Sequence, residues 1–408
     1  MKESTSFIGD IPSGASFILR RVKEEGYDAY LVGGCVRDTA LGRPVRDMDI
    51  ATSASPEEVA QIFAKTIPTG LKYGTVTVIL PDAAVEVTSL RADGEYSDGR
   101  RPDSIELNAS LDDDLSRRDF TMNAMAVTAS GEIYDPFNGL DDIKKRVIRC
   151  VGVPDARFKE DALRMFRAFR FSAELGFTIE PGTLAAIYAN AGRAGLISAE
   201  RIRAEIERTL ISQMPEVAGE MIKAGLLNAK FGILGTDSGI RNINLERLAK
   251  LPAEPALRWC AFCAVLLNGG LIRSCGSFLR SLRLDTKTVK SCSTGTENSE
   301  FGIRNSELQI HIKRLLAKHG VGAARCAAAA ADALRSGSVL AYTDDIIASG
   351  ECFSLNELSV SGHDLIAIGY KPGPGLKMML NELLEHVIEH PEDNVREVLM
   401  AMADMIST

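Results

Sequence analysis

LVGGCVRDTALGRPVRDMDIAT, residues 31–52, runs from a β-type segment through two glycines and a basic-acidic pair to two aspartates spaced i, i+2. Gly33 and Gly34 carry no side chain and so let a ligand approach the backbone closely. If the chain after Arg46 is extended, Asp47 and Asp49 project from one face of a strand, because side chains alternate with period two. Two carboxylates at one locus repel unless a positive charge sits between them, and hard cations such as Mg2+ prefer carboxylate and phosphate oxygens. A nucleoside triphosphate carrying magnesium fits that demand. Taken alone, the same DxD spacing also describes a turn or a solvated strand edge.

Short β-type runs flank this stretch, YLVGG at 30–34, TVTVIL at 75–80 and AVEVTSL at 84–90, mixed with helical segments and Gly/Pro/Asp turns. Residues 1–140 therefore read as an α/β domain closed by the turn cluster DPFNGLDD at 135–142. Beyond it helical periodicity dominates, as in DALRMFRAFRFSAELGF (161–177) and ELQIHIKRLLAKHG (307–320). Ser198, followed by Arg201, Ile202 and Glu205, reads as a capped helix start.

The chain has 408 residues, enough for several domains, and its 45% hydrophobic content supports a sizeable core. No run of about 18 apolar residues occurs and the N-terminus lacks the pattern of a secretory signal, which makes the cytoplasm the expected compartment. Eight scattered cysteines are expected as reduced thiols, mostly in the core. A net charge of −8 argues against indiscriminate coating of nucleic acid. Between Arg273 and Arg325, however, ten Lys/Arg face four acids, a local excess of +6 that reads either as an RNA-contacting patch or as a solvated helix surface.

Two further segments carry chemistry. In RRDFTMNAMA, 117–126, Arg117 and Arg118 suit a triphosphate, and Asp119 suits a ribose hydroxyl with Asn123 in support; a capped helix start is the alternative. EDALRMFRAFRF, 160–171, reads as one helix with Asp161 and Arg164 on a shared face. Cytosine and adenine both present an amine donor beside an unprotonated ring nitrogen, so one carboxylate and one guanidinium pair with either. Uracil and guanine present the reverse pattern, and each unpaired buried group costs about 1 to 3 kcal/mol. An ordinary intrahelical ion pair is the bland reading of the same two residues.

The first stretch, with Arg37, Asp38, Gly42, Arg43 and DMDIAT, resembles the first motif of the nucleotidyltransferase superfamily that includes bacterial class II tRNA CCA-adding enzymes and poly(A) polymerases. RRDFTxNA, EDxxR and SAERIRAEI at 198–206 are similar to later motifs in the family's order. The resemblance implies a polymerase-beta-like α+β head with a short mixed sheet (1–140), followed by an all-α neck (141–207), body (208–272) and tail (273–408). It implies that Asp47 and Asp49 hold two Mg2+ ions, one lowering the pKa of an RNA 3′-hydroxyl and the other neutralising the leaving pyrophosphate. Glu86 is the candidate third acid, although a strand acid with a structural role has the same spacing.

Nucleotide binding falls to Gly33, Gly34, Arg37, Arg117, Arg118, Asp119 and Asn123, with Asp161 and Arg164 reading the base and Glu160 orienting the arginine. Arg167 and Arg170 are further candidates for phosphate or RNA, and equally for structure. RADGEYSDGRRP, 91–102, is similar to the loop that lets family members switch from C to A, and residues 359–394 resemble the tail that grips the tRNA elbow. The expected substrates are CTP, ATP and tRNA, with no membrane and no obligate protein partner. An A-adding enzyme, a poly(A) polymerase and a silent RNA-binding protein on the same fold are the alternatives. HxxEH at His386–His390, CxxC at Cys260–Cys263 and the dipeptide His363-Asp364 read as background.

Overall fold

The structure, a computed structural model, describes residues 11–45, 47–94, 104–107, 109–233, 243–301, 305–335 and 337–407. The chain packs as two compact units, Met1–Glu205 with Glu220–Lys230, and Ile206–Gly219 with Phe231–Thr408. Residues expected in the head and in the neck thus fall together in the first unit.

The first unit is built on a seven-stranded mixed sheet of β1 (Ala29–Val32), β2 (Asp49–Thr52), β3 (Thr66–Gly70), β4 (Thr75–Ile79), β5 (Ala84–Ser89), β8 (Ala126–Val127) and β9 (Ile133–Tyr134). Its spatial order is β3-β4-β5-β2-β1-β8-β9, with β2 parallel to β5 and the remaining pairs antiparallel. A separate ribbon pairs β6 (Arg91–Asp93) with β7 (Ile105–Leu107). Residues 95–102 of the expected switching loop lie outside the described residues.

Sequence periodicity explains the packing. The helix Ser13–Glu24 buries Ala15, Ile18, Leu19 and Val22, the i, i+3, i+4, i+7 stripe of an amphipathic helix. β5 buries Val85 and Val87 while exposing Ala84 and Glu86, the period-two alternation of a half-buried strand. One addition to the all-helical expectation beyond residue 140 is a short parallel pair, Val147–Ile148 with Thr178–Ile179. Isoleucine, valine and threonine suit that extended pairing.

The second unit is helical. Pro255–Asn268, Thr286–Glu297 and the long Asn305–Leu334 form its centre, the last broken at Gly320, whose φ of 79° no regular helix contains. Trp259 is fully buried, with its Nε1 donating to Glu207 at 2.9 Å. A second cluster joins Leu365, Met379, Leu383, Val387, Leu399 and Ala403 near the C-terminus.

Part of the basic excess at 273–325 is consumed internally. Lys313 is buried against Glu351, Arg314 pairs with Glu385 and Glu389, and Arg325 pairs with Glu254 and Asp344. The acids that answer these charges lie mostly outside the stretch, so a window count overstated its free charge. The same contacts account for the HxxEH pattern, since Glu389 meets Arg314 and His386 meets Asp393 at 2.7 Å. Asp364 bonds Ser361 in a capping box and pairs with Arg396.

Candidate active site

The sheet brings three acids to one place. Asp49 is the first residue of β2, in register with Val32 of β1 on one side and Glu86 of β5 on the other. Asp47, just ahead of β2, and Glu86 are both exposed. The carboxyl of Asp49 is raised above the ordinary aspartate range, first by burial and then by the charges of Glu86 and Asp47, against the opposing pull of Arg118. Gly33 follows β1 with a φ of 76°, a left-handed conformation that favours glycine. A Cβ there would stand 2.9 Å from Arg118 Nη1 and 3.5 Å from Asp49 Oδ2, so the missing side chain keeps the junction of guanidinium and carboxylate open.

Behind these acids lies a chain of arginines held by buried acids. The helix Leu111–Ser116 starts at a capping box on Ser110 and delivers Asp114, 1% exposed, to its inner face. Asp114 accepts from Arg117 Nη2 at 2.5 Å and from Arg118 Nη2 at 2.9 Å. Burial alone would raise the Asp114 carboxyl, but the two guanidinium charges and their hydrogen bonds hold it below its usual range. RRDF therefore runs from a helix C-terminus, with Arg117 as the cap residue, into the short 3-10 turn Thr121–Asn123, whose start at Phe120 has no side-chain cap.

Asp119 is 7% exposed, and both of its oxygens already accept bonds. Oδ1 takes the Phe120 N–H at 2.8 Å and Asn123 Nδ2 at 3.0 Å, while Oδ2 takes Arg167 Nε at 2.7 Å. Asn123 Oδ1 in turn accepts from Arg37 Nη1 at 2.7 Å, which joins the first two sequence motifs. The rings and cations stack as well: Arg37, Arg167 and Arg170 lie 5.0, 5.4 and 3.9 Å from the Phe171 centroid. Arg170, 2% exposed, is fixed by Glu205 at 2.5 Å and Glu174 at 2.7 Å, a setting that makes it a structural arginine.

Burial pushes the Asp119 carboxyl up, but the Arg167 charge, the Asn123 hydrogen bond and the Arg164 charge outweigh it and bring it to about 2. A depressed carboxylate contributes stability above its unfolded pKa and loses it as pH falls through the folded value. Asp119→Asn is therefore expected to lower the melting temperature at neutral pH, with the difference from the parent shrinking between about pH 4 and pH 2. Thermal melts of both chains across that window check this; a constant difference down to pH 2 refutes it.

The EDxxR segment departs from the single helix expected of it. One helix ends at Glu160, Asp161 is extended with φ −140° and ψ 104°, and the next helix runs Leu163–Leu175. Aspartate competes for backbone donors near it and so favours helix ends over interiors. Here Asp161 Oδ1 accepts the Leu163 N–H at 3.0 Å, capping the second helix. Its ion pair is with Arg201, Nη2 to Oδ2 at 2.7 Å, and not with Arg164. Arg164, 9% exposed, donates to Glu160 at 2.6 Å and to the Arg117 carbonyl at 2.6 Å. Glu160 thus holds the Arg164 guanidinium in place.

Sequence reasoning missed the parts of Asp114, Arg201, Glu205 and Phe171. Asp114 was within reach, since it precedes Arg117 and Arg118 by three and four residues on one helical turn. Arg201 and Glu205 read only as part of a capped helix start at Ser198; nothing local says that they meet Asp161 and Arg170.

A mixed sheet that gathers three acids on and beside two adjacent central strands, with a guanidinium network behind them, defines the head of a nucleotidyltransferase. The sequence pattern of the "Poly A polymerase head domain" matches residues 29–149. A "probable RNA and SrmB-binding site of polymerase A" matches 176–232, and a putative "tRNA nucleotidyltransferase domain 2" matches 256–403. The CCA-adding enzyme of Limosilactobacillus fermentum is 36% identical over 396 residues, covering 95% of both chains. That of Geobacillus stearothermophilus is 38% identical over 392 residues, covering 94% of each. The crystal structure of the Bacillus stearothermophilus CCA-adding enzyme in complex with CTP superimposes with a TM-score of 0.82 at 36% identity, covering 96% of each chain. The chain belongs to the CCA-adding enzymes, which are nucleotidyltransferases.

Proposed function

We propose that this chain completes the 3′ end of tRNA by adding C, C and A in turn from CTP and ATP, without a nucleic-acid template and with release of pyrophosphate at each addition. The convergence of Asp47, Asp49 and Glu86 beside Arg118 is the observation that carries this reading. A partly buried carboxyl raised by two neighbouring acids is stabilised by a hard divalent cation, so the donor set fits the metal that the family implies. Two Mg2+ ions on Asp47 and Asp49, with Glu86 as third acid, would supply Lewis acidity at the 3′-hydroxyl and charge neutralisation at the leaving pyrophosphate.

The chain's own groups do the rest. Arg118, held by Asp114 together with Arg117, places positive charge beside Asp49, where a triphosphate would lie. Asp119, Asn123 and Arg37 form a preorganised set in which Asp119 retains lone pairs for a ribose hydroxyl. Arg164 donates to the ring nitrogen and Asp161 accepts from the exocyclic amine, a pairing that cytosine and adenine satisfy. Arg201, already bonded to Asp161, keeps that carboxylate ionised and oriented. Among the described residues no helix is long and apolar enough to cross a membrane. We place the protein in the cytoplasm, where tRNA ends are completed, acting without an obligate protein partner.

The test uses purified protein, magnesium and three tRNAs ending before CCA, after C and after CC, with CTP and ATP separately and together. Mass spectrometry is expected to show completion of all three when both nucleotides are present. Extension of the CC-ended tRNA alone would make the protein an A-adding enzyme. A long adenosine tail would make it a poly(A) polymerase.

A further inference from the structure

Three helices of the second unit each bring one cysteine to a common point: Cys260 from Pro255–Asn268, Cys292 from Thr286–Glu297 and Cys326 from Asn305–Leu334. Their sulfurs all lie within 4.8 Å of one another, and the residues are 0%, 0% and 1% exposed. Gly295 makes this approach possible, since a Cβ there would stand 2.6 Å from Cys326 Cβ and 2.9 Å from Cys260 Sγ. CxxC spacing pointed to Cys260 with Cys263, but Cys263 lies by the free thiol of Cys275, and the partners of Cys260 come from 32 and 66 residues away.

The surroundings complete a donor set. Cys292 Sγ donates to the Ala256 carbonyl at 3.4 Å and Cys326 Sγ to the same oxygen at 3.8 Å, so that oxygen rests against two of the three sulfurs. Cys260 Sγ donates to the Cys326 carbonyl at 3.2 Å. A cation bound at Zn–S distances of about 2.3 Å needs sulfurs roughly 3.8 Å apart, so the thiols would contract by about 1 Å at most.

We propose that Cys260, Cys292 and Cys326 form a buried trigonal thiolate site for one thiophilic d10 cation of the Zn2+ class, with the Ala256 carbonyl oxygen in the fourth position. On binding, three S–H bonds break, three sulfur–metal bonds form and three protons pass to solvent, with no change of oxidation state. The site stands apart from the acids of the first unit in chemistry, because soft sulfur donors select such cations whereas the carboxylates select Mg2+. Its effect is to tie three helices together, and its affinity falls as pH falls because protons compete for the sulfurs.

The full chain is expressed in zinc-supplemented medium and purified without chelator for metal analysis. In parallel it is refolded from denaturant with Cd2+ in excess Mg2+, since closed helices admit an ion slowly. The expected result is about one zinc per chain, a sulfur-to-cadmium absorption band and a higher melting temperature than the metal-free chain. Cys326→Ser should reduce the band by about tenfold or more, and Cys263→Ser should keep it. Metal-free wild type without a cadmium band overturns the proposal, as does a band that survives Cys326→Ser or is lost in Cys263→Ser. If Cys326→Ser does not fold, the wild-type stoichiometry and band decide alone.

Discussion

Asp49→Asn is expected to lower the rate of nucleotide addition by about a thousandfold while raising the melting temperature of the metal-free chain. The rate loss follows from removing an acid that a catalytic metal needs, where several kcal/mol of transition-state stabilisation correspond to about three decades. The stability gain follows from the same environment. Burial, Glu86 and Asp47 raise the Asp49 carboxyl above its unfolded value. A group so raised contributes stability below its unfolded pKa and loses it as pH rises through the folded value. At neutral pH that contribution is gone in the parent, and a neutral amide of the same shape restores it, worth about 2 to 4 °C for each kcal/mol in a unit of this size. Added Mg2+ should then stabilise the parent more than the variant. Melts with and without Mg2+, beside single-turnover rates, check both halves. A variant that is less stable than the parent without metal would show that Asp49 serves the fold.

Asp161→Asn is expected to change which bases are added. The carboxylate at 161 only accepts, whereas an amide also donates and can turn its N–H2 toward the carbonyl of uracil or guanine. Removing one unpaired buried group from the wrong-base complex is worth about 1 to 3 kcal/mol, so kcat/KM for UTP relative to CTP should rise by about 10 to 100-fold. The amide still accepts the Leu163 N–H, so the cap on the second helix survives and the fold should hold. Losing the ion pair to Arg201 lowers kcat for CTP as well. Incorporation of each nucleotide into a tRNA ending before CCA gives the ratio. An unchanged ratio with a uniformly slower enzyme would reduce Asp161 to a partner of Arg201 and remove it from base reading.

These outcomes separate two kinds of residue that look alike in one dimension. Arg164 and Arg170 both lie in EDALRMFRAFRF, yet Arg164 is held by Glu160 and a backbone carbonyl while Arg170 is buried between Glu174 and Glu205. The sequence offers Arg164 as a base reader and Arg170 as a candidate for phosphate or RNA, and equally for structure. Partners brought from residue 205 distinguish them.

What the sequence by itself determined is everything carried by short-range pattern. Alternation in AVEVTSL put Glu86 on the exposed side of a strand, the apolar stripe of residues 15–22 made a helix, and DMDIAT placed two acids at a strand start. These features depend on the local periods of strand and helix, which a sequence displays directly. Only the tertiary structure decided the parallel register that sets Glu86 beside Asp49, the break at Asp161 with its turn toward Arg201, the pairing of Lys313, Arg314 and Arg325 with remote acids, and the meeting of Cys260, Cys292 and Cys326. Each joins groups tens of residues apart, and the free energy that selects such a pairing comes from burial and charge compensation in the assembled unit, quantities that no window of sequence contains.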